Sequence, residues 1–402
     1  MLTEKRPLTV VCLATFEKGQ ELIRECRRQG CHVLLLTPER LRGADWPHDS
    51  IDEAYYMPDD FGLEGIIRSL SYLARMRPLD RIVPLDDFDV ETAAALREHF
   101  RLPGMGGTTA RYFRDKLAMR LKARDGSILV PEFVHVLNHD ALCEFTRRVP
   151  PPWMLKPRSE ASAVGISKVC CADDLWPLLE ELGDRQSYYL LEQFIPGDIY
   201  HVDSIVSERE VVFAAAHLYG APPMEVAHEG GVFMTRTVPR ASADAQALEA
   251  LNRDLVETLG LVRGVTHTEF IKAHEDGRFY FLETAARVGG ANIAEVIEAA
   301  TGINLWAEWA KIEIAGEHGR YEVPPHRENY SGIVITLARQ EWPDTSMYDD
   351  PEIVWRLNKR HHVGLLVASH DPHRVEWLLQ QYTRRFLDDF NARLPSPDKA
   401  TS

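Results

Sequence analysis

The chain has 402 residues, of which 45% are apolar and 27% are charged, as is typical of a globular protein with two or three domains. Its net charge of −15 argues against a general binder of nucleic acids, so a nucleotide site would have to be locally basic or act through a metal. The six cysteines lack CxxC or framework spacing, which indicates a reducing compartment. The first apolar run is too short for a secretory signal, and no stretch approaches the roughly 18 apolar residues of a membrane span. We therefore expect a cytoplasmic protein without nucleic-acid or membrane partners.

Strands and helices alternate over the first hundred residues. The predicted elements are strand 8–14, helix 18–29, strand 32–37, helix 63–76 and strand 81–84. This βαβαβ order is typical of an open parallel sheet. Neither the GxGxxG of dinucleotide-binding folds nor the GxxxxGK[ST] of P-loops is present. Acidic residues at 86–89 follow a strand end, where ligand sites often lie, but the start of a helix at Asp89 explains them as well, and we favour the helix.

A loop of small residues between two predicted strands is suited to phosphate binding. The stretch 153–169 predicts a strand, a loop of Ser, Ala and Gly at 159–165, and a second strand. Such a loop lets backbone N–H groups approach a phosphate closely, and Lys156 would add a positive charge at the same end. A mobile surface hairpin is the alternative.

Two further stretches carry candidate ligand contacts. The stretch 188–206 predicts a strand, a Pro-Gly turn and a second strand; its residues 192–194 could offer free main-chain groups to an adenine edge, and Asp198 could accept hydrogen bonds from ribose hydroxyls. The stretch 222–236 is polar and rich in glycine, with His228 in it and Arg236 at its end. It is either a loop that closes over a substrate or an ordinary crossing loop.

The predicted hairpin at 265–290 brings two carboxylates together. If His274 faces Arg278 across a three-residue loop, Glu269 lies directly opposite Glu283. Like charges so placed repel each other unless a cation lies between them. Mg²⁺ is suited to this position because it accepts carboxylate oxygens and keeps sites for phosphate oxygens.

Arg287 and the pair Gly289 and Gly290 follow the second carboxylate, which suits an anion held next to the metal. A solvated hairpin with surface acids is the alternative. Further helices are predicted at 110–123, 243–259, 293–315 and 373–391, and further strands at 331–338 and 364–369. Lys116 lies in the first of these helices, where a cation is usually exposed to solvent, so Lys116 alone is uninformative.

Taken together, these features resemble the ATP-grasp superfamily. Lys116, Lys156 with its small-residue loop, the segment LLEQFIPGD, Glu269 and the segment FLETAARVGG occur in that family's order and at about its spacing, over about residues 1–320. The resemblance implies an α/β and α+β fold with five regions: a Rossmann-like preATP-grasp domain at 1–103, two ATP-grasp subdomains at 104–187 and 188–322, a small C-terminal α/β cap at 323–393 and a disordered tail at 394–402.

The resemblance also implies roles for individual residues. Contacts to ATP are implied for Lys116, Lys156, Ser159, Ser162, Gly165, Glu192, Gln193, Phe194 and Asp198. Glu269 and Glu283 would hold Mg²⁺, which Mn²⁺ could replace. Catalytic roles fall to Lys156, His228 and Arg287, and substrate contacts to His228, Arg236, Arg287, Gly289 and Gly290.

One position departs from the family pattern. Many members carry Asn two residues after the second metal-ligating Glu, and this chain has Ala285 there, which leaves a second metal ion less well held or held by a water instead. The relaxed pattern is similar to that of the L-amino acid ligases that form dipeptides. In that comparison Gly290 lines the amine-side pocket, and the region around His228 resembles the substrate loop.

The resemblance implies an ATP-dependent ligase that joins a small carboxylic acid to a small amine through an acyl phosphate and releases ADP. A homodimer is compatible with this. Two alternatives stay open: a reaction with bicarbonate as the acid, and a non-catalytic nucleotide-binding scaffold. The absent Asn and the lack of a biotinyl or glutaminase domain count against the first, and the repelling carboxylate pair counts against the second.

Overall fold

The computed structural model describes residues 6–161, 164–316 and 319–392, with only the backbone described at 227–229. The helices are α1 (Gln20–Arg28), α2 (Leu63–Ala74), α3 (Val90–Phe100), α4 (Gly107–Arg111), α5 (Lys116–Asp125), α6 (His139–Arg148), α7 (Ala172–Leu182), α8 (Pro223–Glu229), α9 (Ala243–Leu259), α10 (Ile293–Thr301), α11 (Leu305–Ala315) and α12 (Pro372–Asp389). None of these helices combines the length and the apolar character that crossing a membrane requires. The strands of the described residues form three sheets.

The first sheet is open and parallel, as predicted. Its strands are β1 (Thr9–Leu13), β2 (His32–Pro38), β3 (Glu53–Met57) and β4 (Arg81–Pro84), in the order β3-β2-β1-β4. The inner strand β1 is buried along its whole length, whereas every residue of β3 is only half-buried at the edge of the sheet. The sequence therefore reveals β1 as an apolar run but gives little sign of β3.

The acidic residues at 86–89 form the entry to a helix, as favoured from the sequence. The carboxylate of Asp86 accepts a hydrogen bond from the N–H of Phe88 (3.1 Å), and α3 starts at Val90. Asp89 accepts a hydrogen bond from the N–H of Thr15 (2.9 Å). The Asp86 contact caps a single 3-10 turn at 87–89 that leads directly into α3, and the Asp89 contact joins the start of the helix to the residues that follow β1.

The second sheet is antiparallel and carries the loop of small residues. Its strands are β5 (Phe133–His135), β6 (Trp153–Pro157), β7 (Ser167–Val169) and β8 (Tyr189–Gln193), in the order β5-β8-β6-β7. Trp153 pairs with Val169, which confirms the predicted strand–loop–strand geometry. Helices α6 and α7 bury their apolar residues against this sheet in one cluster.

The third sheet has eight strands. They are β9 (Gly197–Ser207), β10 (Glu210–Tyr219), β11 (Phe233–Thr237), β12 (Gly264–Ala273), β13 (Phe279–Ala285), β14 (Tyr330–Leu337), β15 (Ile353–Arg356) and β16 (His362–Ser369), in the order β13-β12-β9-β10-β11-β14-β16-β15. The predicted strand–turn–strand at 188–206 is β8 and β9, but the two strands belong to different sheets and residues 194–196 cross between them. The strands of the predicted C-terminal cap, β14 to β16, extend this sheet, and α12 packs on β14 and β16.

The prediction of a single helix at 110–123 is wrong. The structure has α4 and α5 there, separated by residues 112–115. Asp115 starts the second segment, because its carboxylate accepts a hydrogen bond from the N–H of Leu117 (3.0 Å) and so caps α5 at its N-terminus. Lys116 therefore stands at the first position of α5 instead of inside a longer helix.

The prediction of a single helix at 293–315 is wrong for a similar reason. The chain leaves α10 at Gly302, whose φ of 81° is left-handed, and re-enters a helix after Asn304. The Asn304 side chain accepts a hydrogen bond from the N–H of Ala307 (3.0 Å) and so caps α11. Helical periodicity continues across this break, so the apolar pattern alone does not reveal it.

Candidate active site

A cleft of about 750 Å³ lies between the second and the third sheet. Its walls come from α5, β6, β8, β9, β12 and β13, and residues of α8 line one side. The described lining residues include many of the predicted contacts: Lys116, Lys156, Glu192, Gln193, Phe194, Asp198, Glu269, Glu283 and Arg287. The fold thus gathers into one space residues that are far apart in the sequence.

Glu269 on β12 and Glu283 on β13 are directly opposed, as predicted. The turn itself differs from the prediction by one residue. Ala273, and not His274, pairs with Arg278: the N–H of Ala273 donates to the carbonyl of Arg278 (2.9 Å). Continued without a break, that offset would place Leu282 opposite Glu269. A β-bulge at this point leaves Leu282 as the extra residue and restores the carboxylate pair.

The two carboxylates have different neighbours. Tyr219 donates a hydrogen bond to Glu269 (2.9 Å), and the amino group of Lys116 lies 2.8 Å from Glu283. The protein that surrounds the cleft opposes ionisation of Glu283 by removing water, but the charges of Lys116 and then Lys156 outweigh this effect and keep the pKa of the carboxyl well below its usual range. The Glu283 side chain is 40% exposed, so it opens onto the cleft. Two adjacent carboxylates facing an open space are a donor set that fits Mg²⁺.

Lys116 is buried, contrary to the expectation for a cation within a helix. Its amino group donates a hydrogen bond to the carbonyl of Glu160 (2.7 Å) as well as pairing with Glu283. The start of α5 points this side chain into the cleft, beside the loop of small residues. Lys116 therefore links that loop to the carboxylate pair.

Glu192 is the centre of a buried ion-pair network. Its carboxylate accepts from the guanidinium of Arg120 (2.9 Å) and from the amino group of Lys156, and the Arg120 side chain is only 1% exposed. Burial opposes ionisation of Glu192, but the charges of Arg120 and then Lys156 outweigh it and lower its pKa. Arg120 also donates to the carbonyl of Leu282. One guanidinium thus joins β8 in the second sheet to β13 in the third.

The expected free main-chain groups at 192–194 are already used in part. The N–H of Gln193 donates to the carbonyl of Glu132 (2.7 Å), and the N–H of Phe194 donates to the carbonyl of Pro152 (3.1 Å). The expectation that these N–H groups are free is therefore wrong, because β8 pairs with strands on both sides. Asp198 lines the cleft with a largely exposed carboxylate, 3.4 Å from His274.

Only some of the described residues of the small-residue loop line the cleft. Glu160 and Ala161 line the cleft from one end of the loop and Val164 from the other. Ser159 and Gly165 are described residues that do not line it; the carbonyl of Ser159 instead accepts a hydrogen bond from an arginine of the 112–115 connection. Ser162, the remaining predicted loop contact, lies outside the described residues.

The stretch 222–236 is not the continuous loop that its glycines predict. It contains α8, whose Met224 and Val226 line the cleft, and then β11. The backbone of His228 lies in α8, and its side chain lies outside the described part of the chain. Arg236 does not line the cleft but pairs with Glu376 of α12 (2.8 Å). Its position therefore does not support the predicted substrate contact. Alternation along β11 explains this, since the preceding residue faces the opposite side of the sheet.

Of the three residues predicted to contact a substrate after β13, one lines the cleft and two do not. Arg287 lines the cleft; its Nη1 donates to the carbonyl of Val288 (2.9 Å), and its buried Nε has no partner among the described residues. Gly289 does not line the cleft. A Cβ on Gly289 would lie 3.0 Å from Nδ1 of His267, so this glycine packs behind that ring instead of contacting a substrate. Gly290 has open space where its Cβ would be, and it does not line the cleft either.

A buried polar cluster next to the carboxylate pair was not predicted. Asp203 on β9 accepts hydrogen bonds from Nδ1 of His201 (2.6 Å) and from Nδ1 of His267 on β12 (2.9 Å). The far side of His201 contacts the hydroxyl of Thr235 on β11 (2.7 Å). His267 lines the cleft, and its Nε2 lies 3.6 Å from Glu269. Polar residues at alternate positions of otherwise apolar strands, His201-x-Asp203 and His267-x-Glu269, are the signal that could have revealed the cluster.

Burial and charge set the ionisation of this cluster. Burial opposes ionisation of Asp203, but the charge of His267 and the hydrogen bonds from His201 and His267 outweigh it and keep the pKa of the carboxyl well below its usual range. Burial alone would lower the pKa of His267, yet the charge of Asp203 raises it to about 9. Burial lowers the pKa of His201. Asp203 and His267 therefore form the charged pair, and His201 is a neutral donor to the carboxylate.

His201, Asp203 and His267 also lie close enough together to be considered as metal ligands. Their separations of 2.6 and 2.9 Å are hydrogen-bond distances, so the ligand atoms already share protons with one another. Glu269 and Glu283, whose oxygens open onto the cleft, fit a metal better.

Three comparisons place this geometry among known proteins. The L-arginine-specific L-amino acid ligase of Bacillus subtilis is 26% identical over 268 residues, 64% of this chain and 64% of that protein. The crystal structure of an L-amino acid ligase from Bacillus licheniformis superposes with a TM-score of 0.73 at 17% identity, over 96% of this chain and 98% of the other. An N5-carboxyaminoimidazole synthetase from Staphylococcus aureus, complexed with ADP, gives 0.71 at 14% identity, over 94% and 97%. This chain has the ATP-grasp fold.

Within the ATP-grasp fold, the chain resembles L-amino acid ligases in both sequence and structure. The alignment spans about 64% of the curated relative's length, short of two thirds of that protein. No protein-family model matches the sequence. The named relatives are ligases, and the ADP complex of the synthetase shows an adenine nucleotide bound to a protein of this fold.

Proposed function

We propose that the protein is an ATP-dependent ligase that joins the carboxylate of one amino acid to the amine of another and releases ADP. The observation that carries this proposal is the opposed pair Glu269 and Glu283 on the cleft, with Lys116 and Arg287 beside it. A repelling carboxylate pair has no structural use at an open surface, but it fits a metal that neutralises the phosphates of ATP. The likeness to L-amino acid ligases supports the substrate class.

The proposed reaction has two steps. A substrate carboxylate oxygen attacks the γ-phosphorus of ATP, the bond to the β,γ-bridging oxygen breaks, and ADP leaves. The amine of the second substrate then attacks the acyl carbon, phosphate leaves, and the amine loses a proton to form the amide. The protein contributes alignment and charge neutralisation to both steps, as phosphoryl transfer requires.

The cleft residues divide this work. Lys116 and Lys156 hold the phosphates from the side of the second sheet, and Arg287 binds the attacking carboxylate or the transferred phosphoryl group from the side of the third. Glu269 and Glu283 would hold Mg²⁺, which Mn²⁺ could replace. When bound, the metal would neutralise charge on the β- and γ-phosphate oxygens. Ala285 offers no ligand beside the pair, so these two carboxylates supply the protein's metal contacts.

The proposal can be tested without knowing the substrates. The protein is incubated with MgATP, single amino acids and hydroxylamine, which traps an acyl phosphate as a hydroxamate, and then with pairs of amino acids while product masses are read. We expect a hydroxamate with one amino acid of the panel and an amide only when acid and amine are both present. ADP formation with bicarbonate alone would point instead to the carboxylase-like reaction. Nucleotide binding without turnover on any substrate would point to a scaffold.

Lys156→Ala should weaken MgATP binding by roughly 10-fold or more, since a hydrogen bond to a charged group contributes about 1.5–3 kcal/mol. The fold should persist because Arg120 still balances Glu192. The dissociation constant of MgATP is the measurement. Lys311→Ala is the control, since this lysine pairs with Glu308 on α11 and does not line the cleft. An unchanged dissociation constant for Lys156→Ala would mean that the neighbouring loop is only a surface hairpin.

We also propose a cytoplasmic location, which the six free cysteines support. Small-molecule acid and amine substrates are the proposed partners. A homodimer is a further prediction, which the molecular mass in solution would check.

A further inference from the structure

Three consecutive carbonyls at the entrance of the small-residue loop are held by the segment that starts α5. The N–H of Lys116 donates to the carbonyl of Arg158 (2.8 Å), and Nη2 of Arg114 donates to the carbonyl of Ser159 (2.6 Å). The amino group of Lys116 reaches the third carbonyl, that of Glu160 (2.7 Å). The course of the backbone into the loop is therefore set by a short segment that lies elsewhere in the sequence.

Arg114 also connects this contact to the first sheet. Its Nη1 lies 2.5 Å from Oδ2 of Asp87, in the 3-10 turn that follows β4. The guanidinium lies over the ring of Phe88, 5.0 Å from the ring centroid. The side chains of Arg114 and Asp87 are only 5% and 10% exposed. Because the guanidinium is a planar fork of donors, one side chain can bond to Asp87 and to the Ser159 carbonyl in a fixed geometry.

The loop entrance is directly coupled to the candidate active site. Glu160, the residue after Ser159, lines the cleft, whereas Arg114 does not. The carbonyl of Glu160 also holds the amino group of Lys116, which lies 2.8 Å from Glu283. A displacement of the Ser159 carbonyl would therefore move the edge of the cleft and an acceptor of the Lys116 amino group together.

We propose that Arg114 is a positioning residue for the phosphates of the nucleotide, which fixes the loop entrance and the Lys116 amino group at the cleft with Asp87 as its anchor. This inference rests on the proposed function, in which Lys116 holds the phosphates. Arg114 acts through the Ser159 carbonyl and not on the nucleotide, since it does not line the cleft. Its effect should be confined to the phosphates, so adenosine, which has none, should bind independently of Arg114.

Arg114→Lys separates the loop contact from the buried charge pair. Lysine keeps a positive charge opposite Asp87, but its single amino group does not reproduce the fork that also reaches Ser159. We expect the dissociation constant of MgATP to rise about 10-fold, because losing a hydrogen bond from a charged donor lowers the population of the binding-competent loop by that order. The dissociation constant of adenosine should stay unchanged. General damage to the cleft would weaken both ligands alike, so the difference between them is the readout.

Asp87→Asn tests the anchor. Asparagine keeps an oxygen that can accept from Arg114 but removes the counter-charge. An ionised acceptor makes a hydrogen bond roughly twice as strong as a neutral one, so we expect the dissociation constant of MgATP to rise by a smaller factor, about 3-fold. Adenosine binding should again be unchanged.

Arg263→Lys is the matched control. Arg263 is a buried arginine whose Nε (3.2 Å) and Nη2 (2.6 Å) donate to Glu208, and neither residue lines the cleft. The chemical change equals that of Arg114→Lys but lies away from the small-residue loop. Both dissociation constants should equal those of the wild-type protein.

Amide hydrogen exchange gives a second measurement that needs no ligand. In the nucleotide-free protein, the backbone at 158–161 should exchange faster in Arg114→Lys than in the wild-type protein and in the control, because a segment that loses a holding contact opens more often. Equal exchange in the three proteins would mean that Arg114 does not hold the loop entrance.

The outcomes separate this inference from the proposed function. If Arg114→Lys binds MgATP as tightly as the wild-type protein, or if MgATP and adenosine weaken by the same factor, the positioning role is wrong. If only Asp87→Asn is without effect, Asp87 is not the anchor. If the wild-type protein does not bind MgATP, the proposed function fails first and this inference falls with it.

Discussion

Glu283→Gln should abolish ATP-dependent turnover while leaving the protein folded. Glutamine keeps the shape of the side chain but removes one of the two carboxylates that we assign to Mg²⁺. The metal would stabilise the charge of the transition state by several kcal/mol, so we expect kcat to fall at least ~100-fold when it is poorly held. The fold should persist, since the Glu283 side chain is 40% exposed and its partner Lys116 keeps a hydrogen bond to the carbonyl of Glu160 (2.7 Å). Phosphate release from MgATP, with the substrates found in the panel, is the measurement.

Glu275→Gln supplies the control for this experiment. It makes the same chemical change on the same hairpin, in the exposed turn between β12 and β13, away from the cleft lining. Its turnover should equal that of the wild-type protein. If Glu283→Gln retained turnover as well, the carboxylate pair would have no part in catalysis and the proposed function would lose its main support.

Glu192→Gln should cause the largest loss of stability among the cleft residues. The substitution leaves Arg120, whose side chain is 1% exposed, without its counter-charge. Breaking a buried ion pair by removing one partner costs about 3–5 kcal/mol, because the remaining charge stays out of water. The free energy of unfolding, from urea denaturation, is the measurement. Arg120→Met in the Glu192→Gln background should recover part of the loss, since both charges are then absent.

Glu132→Gln is the matched control for stability. Its partner Arg148 lies 3.0 Å away, and both side chains are more than half exposed. An exposed pair of this kind contributes about 0–1 kcal/mol, so the control should unfold almost as the wild-type protein does. Equal losses from the two variants would mean that burial of the Glu192 network has no energetic weight.

The same pair predicts a dependence on acid. The folded protein lowers the pKa of Glu192 below its ordinary value of 4.5, with Arg120 as the largest favourable cause against the opposing effect of burial. The stabilisation is therefore complete above about pH 4.5 and is lost as the pH falls below that value towards the pKa of the folded state. The wild-type protein should lose stability in this range more steeply than Glu192→Gln, by up to about 1.4 kcal/mol per pH unit for one proton.

The sequence predicted the parts of the site that lie within one hairpin or one loop. The pairing of Glu269 with Glu283 follows from alternation along two consecutive strands, although the assumed turn was one residue off and only the bulge at Leu282 corrected it. The burial of Lys116 could not be seen, because it depends on the cap that Asp115 places just before it. The contacts of Asp203 were missed for another reason: they join β9 to β12, about sixty residues on, and local patterns carry no information about such pairing.

The guanidinium of Arg120 limits how the cleft of this protein can open. Arg120 donates to Glu192 on one side of the cleft and to the carbonyl of the bulged Leu282 on the other. Separating the two sheets at this point would break one of these contacts and leave the buried charge of Arg120 without part of its hydrogen bonding. We therefore expect any opening of the cleft to occur away from Arg120, among lining residues such as Ala161, Val164 and Met224. Because Glu192 and Leu282 both line the cleft, the fixed contact between the two sheets is also part of the proposed nucleotide site.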